Sequence, residues 1–96
     1  MMKYIVYKSH SGLESPVIFN EIETHKDVFF ALVQQGLTHE TKLISAGFVS
    51  IGKSYDPLSE TGFDVSCSGK SDTLKTVSRM STDAHLIERL ISASGW

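Results

Sequence analysis

The chain has 96 residues, with nine Lys and Arg against eleven Asp and Glu, and a single cysteine. A chain of this length fits one domain spanning 1–96 and excludes two independently folding halves, each too small to bury a useful core. One cysteine excludes an intramolecular disulfide scaffold, and a formal net charge of −2 excludes a global basic footprint for nucleic acid. Apolar residues at 41% and charged residues at 21% describe a folded domain and not a disordered one. The longest apolar run is Val28-Phe29-Phe30-Ala31-Leu32-Val33, far short of the roughly 20 residues a membrane span needs. The N-terminal apolar stretch Tyr4–Tyr7 ends at Lys8 and is too short for a secretory signal. The expectation is a cytoplasmic protein with Cys67 reduced and no membrane contact.

Residues 3–8 are β-branched and aromatic and are followed by the turn cluster Ser9-His10-Ser11-Gly12, which predicts a first strand. Pro16-Val17-Ile18-Phe19 predicts a second, with Pro16 suited to a strand start or an edge. Thr24 as N-cap, Asp27 three residues on, and Val28, Phe29, Leu32 and Val33 at helical spacing predict a helix over 25–35. Gly36 supplies its stop, with Leu37 reaching back to Leu32.

Lys42 to Gly52 reads as a long strand. Leu43, Val49 and Ile51 share one parity and Ile44, Ala46 and Phe48 the other, so both its faces should be at least partly covered. Ser54 to Gly62 is a loop with a turn at Asp56-Pro57. Phe63, Val65 and Cys67 alternate with Asp64, Ser66 and Ser68 as in a half-buried strand. After a turn at Ser68–Asp72, residues 73–78 predict an edge strand. Ser81 as N-cap, Asp83 in the first turn, and Ala84, Ile87, Leu90 and Ile91 on one side predict a final helix ending near Gly95. The order ββαβββα predicts an α+β domain: a mostly antiparallel sheet of about five strands with two helices on one face.

Gly47 to Ser54 satisfies the phosphate-loop formula GxxxxGK[ST]. Its variable positions include Phe48, Val49 and Ile51, which favour extended strand, and Pro57 opposes the helix that phosphate binding requires after the loop. The segment is read as strand, with no nucleotide cofactor. His10, His25, His39 and His85 form no local ligand pair and there is no CxxC, so solvated or capping histidines are expected and no metal. Cys67 shares parity with Phe63 and Val65 and reads as a buried, inert thiol. No catalytic residue is assigned. Lys70, Lys75 and Arg79, with Lys53 on a strand that could neighbour them, form a candidate basic patch for an acidic partner.

The stretches Lys3-Tyr4-Ile5-Val6-Tyr7, Pro16–Phe19, Ile44-Ser45-Ala46-Gly47-Phe48-Val49, and Ser78-Arg79 followed by Asp83–Arg89 resemble small uncharacterised proteins of tailed phages and prophages. The resemblance implies an accessory protein acting in the bacterial cytoplasm on host or phage proteins. The leading expectation is a non-enzymatic protein-binding or self-associating module that uses an exposed sheet face or the 73–78 edge, with homodimerisation by edge pairing. The alternatives are a weak nucleic-acid binder acting through Lys53, Lys70, Lys75 and Arg79, and a small enzyme using Cys67 or a histidine.

Overall fold

The computed structural model describes residues 1–8, 11–34 and 42–93. The elements are β1 (Met2–Lys8), β2 (Glu14–Phe19), α1 (His25–Gln34), β3 (Lys42–Lys53), β4 (Phe63–Ser68), β5 (Lys70–Ser71), β6 (Thr76–Val77) and α2 (Ser81–Ala93). β2, β1, β3 and β4 form an antiparallel sheet in that order, and β5 and β6 form a separate two-stranded hairpin. The α+β class and the antiparallel sheet are as expected. The 73–78 strand is corrected: residues 72–75 turn, and two short strands on either side of them pair with each other.

Sheet alternation determines what each helix covers. Tyr4, paired with Ile18 on one side and Gly47 on the other, faces α2, where its hydroxyl meets Asp83. The adjacent row, Phe19–Lys3–Phe48, points the opposite way. Phe19 and Phe48 both contact the His25 ring at the start of α1. The helices therefore sit on opposite faces and not on one. Sequential β2 and α1 are joined by a short turn that carries the chain under the sheet, whereas α2 returns from β6 on the other side.

The main core lies under α2. Tyr4, Val6, Val49, Cys67, Ile87 and Ile91 are buried together, with Ala84, Leu86, Ile18, Ile44 and Ile51 against them. Leu90, expected on this face, is 41% exposed, and Leu86 packs against the core instead. Ile44 shares the core with Val49 despite its opposite parity. The register jumps from Val6↔Ser45 to Tyr7↔Leu43, so Ile44 is the unpaired residue of a β-bulge. A bulge breaks the two-residue period and turns one side chain to the other face.

The local signals are realised at several points. The Asp27 N–H donates to Thr24 Oγ1 at 3.1 Å, the expected cap of α1. The Leu58 N–H donates to Asp56 Oδ1 at 2.9 Å, forming the Asp56-Pro57 turn. At α2 the cap lies one residue earlier than predicted: the Met80 carbonyl, not Ser81, accepts the first helical bond from Ala84 N–H at 2.9 Å. The helix stops assigned to Gly36, Leu37 and Gly95 lie outside the described residues.

Gly47 and Gly52 of the phosphate-loop formula both lie within β3. A Cβ on Gly47 would stand 2.5 Å from the Ser68 carbonyl oxygen and 3.1 Å from Ser78 Cβ, whereas one on Gly52 would meet nothing within 4 Å. Close backbone approach, not phosphate, explains the first glycine. Gly47→Ala is expected to cost about 1–3 kcal/mol in urea denaturation, and Gly52→Ala to be neutral or stabilising by up to about 1 kcal/mol. Equal effects of the two substitutions would contradict this packing.

Candidate interaction surface

The polar residues near the core are held in a connected cluster. Asp83 is fully buried on the first turn of α2. Its Oδ2 accepts the Tyr4 hydroxyl at 2.6 Å and the Arg79 N–H at 2.9 Å, and its Oδ1 accepts Arg79 Nε–H at 2.8 Å. Arg79 Nη2 then reaches Glu14 Oε1 on β2 at 2.7 Å. Ser78 Oγ lies 2.6 Å from the Tyr4 oxygen. The single phenolic proton goes to the carboxylate, so the Ser78 hydroxyl donates to Tyr4 and accepts the Met80 N–H at 2.9 Å. This cluster binds the start of α2 to β1 and β2.

The electrostatics follow from burial and these partners. Burial, reinforced by the Asp83 hydrogen bond, raises the Tyr4 phenol well above its ordinary value. Burial pushes the Cys67 thiol up to about 11, so the thiolate a nucleophile needs is suppressed. The Arg79 hydrogen bond holds the Glu14 carboxyl below its usual range. Partial burial works against the Arg79 charge, but its bonds to Glu14 and Asp83 outweigh this and hold the guanidinium above its usual range. Tyr4 and Cys67 are thus core groups kept in their protonated forms.

His25 departs from the expected solvated or capping role. It is 4% exposed, edge-on to Phe19 and Phe48, and its Nε2 lies 2.8 Å from the Gly47 carbonyl. A carbonyl only accepts, so Nε2 carries the proton. Burial holds its titration below the ordinary 6.5. His85 is exposed on α2, and His10 and His39 lie outside the described residues. Among the described residues no group of three His, Cys, Asp or Glu side chains could hold a metal ion.

The four candidate basic residues are not gathered on one patch. Lys70 and Lys75 line one shallow depression on the β5–β6 hairpin, and Lys70 Nζ lies 3.8 Å from Asp72. Arg79 is engaged by Glu14 and Asp83. Lys53 ends β3, five residues beyond the Phe48↔Ser68 pair that adjoins the hairpin, a distance of about 17 Å along an extended strand.

Apolar side chains mark a different surface. Of the ten residues of α1, only His25 is buried. Phe30 and Val33, three apart and so on one side of the helix, are 49% and 44% exposed, and Lys26 Nζ stands 5.5 Å from the Phe30 ring centre. Val33 was expected on the packed face with Val28, Phe29 and Leu32, which are half-buried. Phe30 fell outside that face by periodicity, so its exposure was legible from the sequence. No family model, curated protein or solved structure matches the chain. No described helix is long and apolar enough to cross a membrane.

A depressed His25 titration has a definite sign. Above the ordinary 6.5 both folded and unfolded states hold the neutral ring, and the full stability is present. As pH falls towards the lowered folded value, the unfolded state takes up the proton first and stability is lost. Thermal melts are expected to fall between about pH 7.5 and pH 5.5, and His25→Gln, whose amide can still donate to Gly47, should flatten that fall. An identical pH dependence in the variant would contradict a buried neutral His25.

Proposed function

We propose that this protein is a small non-enzymatic binding module that engages a protein partner through the outward stripe of α1. The observation that carries the reading is that stripe: two large apolar side chains, Phe30 and Val33, stand in solvent on a helix only one of whose residues is buried. An apolar helical stripe flanked by polar residues is the form a helix takes when it lies in a partner's groove. The interior supports the same reading, because the groups best suited to acid–base or nucleophilic chemistry, Tyr4, Cys67 and Asp83, are spent in packing and in the α2 attachment.

The resemblance to small phage and prophage proteins supports an accessory role in a bacterial cytoplasm, with a host or phage protein as partner. Nucleic-acid binding is the weaker alternative: Lys70 and Lys75 alone offer about two phosphate contacts, too few for stable binding at physiological salt.

The experiment compares retention of lysate proteins by the native chain and by the Phe30→Asp/Val33→Asp variant, with circular dichroism confirming that both are folded. The expected result is a protein retained by the native chain and lost with the variant. Equal retention by both overturns the role of α1. Nucleic acid retained at low salt, and lost on Lys70→Ala/Lys75→Ala, would favour the alternative.

A further inference from the structure

The two helices are attached to the sheet by different means. Among the described residues, the core under α2 takes in nothing from α1. α1 lies on the other face, the side to which the fully buried Ile5 and Ala46 point by alternation with Tyr4 and Val6. Its polar attachments gather at its first turn. Lys3 Nζ donates to the Glu23 carbonyl at 3.0 Å and the Lys26 N–H to Thr73 Oγ1 at 3.3 Å, both at exposed positions. The bond of His25 to the Gly47 carbonyl is the buried one. Further along, Val28, Phe29 and Leu32 are only half-buried. A helix of ten residues is too short to persist in water without its docking. An element with so little buried apolar surface of its own opens more readily than the core beside it.

A second proton on the His25 ring finds no partner there. Nε2 already donates to Gly47, so that proton goes to Nδ1, and among the described residues the ring is bonded through Nε2 alone. From β2 and β3 the ring meets Phe19, Phe48 and the Gly47 carbonyl. The charged groups facing it come from β1, which brings the Lys3 ammonium, and from the β5–β6 hairpin, which brings Lys70 and Asp72. All three border a hollow of about 180 Å³ with His25. The start of α1 carries Lys26 and Asp27, both exposed, with Glu23 just before it. Lys3 opposes a charge on the ring. Asp72 favours it, but from an exposed side chain 3.8 Å from Lys70 Nζ. An imidazolium held there is desolvated, whereas in an opened α1 it stands in water.

We propose that His25 is a pH-sensitive latch: when its ring takes the second proton, α1 opens from the sheet as a unit and leaves the sheet and α2 folded. Opening uncovers Ile5, Ala46 and the inner side chains of α1, and it dissolves the helical stripe of Phe30 and Val33. α2 is unaffected, because Tyr4, Arg79 and Asp83 hold it on the other face. Burial keeps the titration of the docked ring below the ordinary 6.5, so opening is constant above that value and grows as the pH falls below it. The consequence for a partner rests on the function proposed above; the opening itself requires no partner.

The test is amide hydrogen exchange of the full chain at about pH 7.5 and pH 5.5, read as protection factors, with the His25 ring followed by its NMR resonance. Residues 25–34 are expected to be at least about tenfold less protected than β1 and β3 at both pH values, the mark of a separate opening. Their protection is expected to fall about three- to tenfold at the lower pH, as one proton per opening allows, and the ring to titrate below 6.5. His25→Gln is expected to abolish the fall. A variant that loses protection in α1 alone, at both pH values, also supports the latch. Equal protection of α1 and the sheet overturns the proposal, as does a variant that loses β1 and β3 with α1. So does protection of α1 indifferent to pH, a fall that persists in His25→Gln, or a ring that titrates at or above 6.5. Exchange is measured without a partner, so failure of the latch leaves the proposed function standing, and failure of capture through α1 leaves the latch standing.

Discussion

The attachment of α2 to the sheet rests on one buried carboxylate. Asp83 is fully buried, yet it accepts the Tyr4 hydroxyl, the Arg79 N–H and Arg79 Nε–H. A charged group in the interior is tolerated only when its hydrogen-bonding capacity is filled. Here each partner comes from a different constraint. Tyr4 belongs to the central strand β1, and Arg79 lies two residues before the helix and continues to Glu14 on β2. The carboxylate thereby determines where α2 begins, and Ile87 and Ile91, one and two turns further along, come down on Val6, Val49 and Cys67. Gly47 must stay small because Tyr4, Ser78 and the Ser68 carbonyl crowd around it.

That arrangement also shapes function. Burial keeps the Cys67 thiol protonated, and burial with the Asp83 hydrogen bond does the same for the Tyr4 phenol, while the Arg79 guanidinium is committed to two carboxylates. The polar interior is used to position a helix. The Phe30–Val33 stripe of α1 is among the apolar side chains left exposed, because a short chain cannot cover every surface its elements create.

Much of the architecture was legible as local pattern. The α1 cap at Thr24, the Asp56 turn, the alternation of Phe63, Val65 and Cys67, and the strand character of Gly47–Lys53 all follow from residues near in sequence. The departures have non-local or geometric causes. The Ile44 bulge shifts parity in a way no alternation rule anticipates. The polar 73–78 stretch folds back on residues 70–71 through the 72–75 turn, where Lys75 adopts a φ of 53°, after Gly69, at a φ of 80°, lets the chain leave β4. Asp83 looked like an ordinary first-turn acid, since nothing local tells that Tyr4, seventy-nine positions away, lies across from it. Arg79 looked available to a ligand for the same reason.

The central claim, that the Tyr4–Asp83 contact organises the fold, is tested most directly by a double-mutant cycle of Tyr4→Phe and Asp83→Asn measured by urea denaturation. The account predicts a coupling free energy of about 1.5–3 kcal/mol, the range of a buried hydrogen bond to a charged group. Additive effects of the two substitutions, with no coupling, would contradict it.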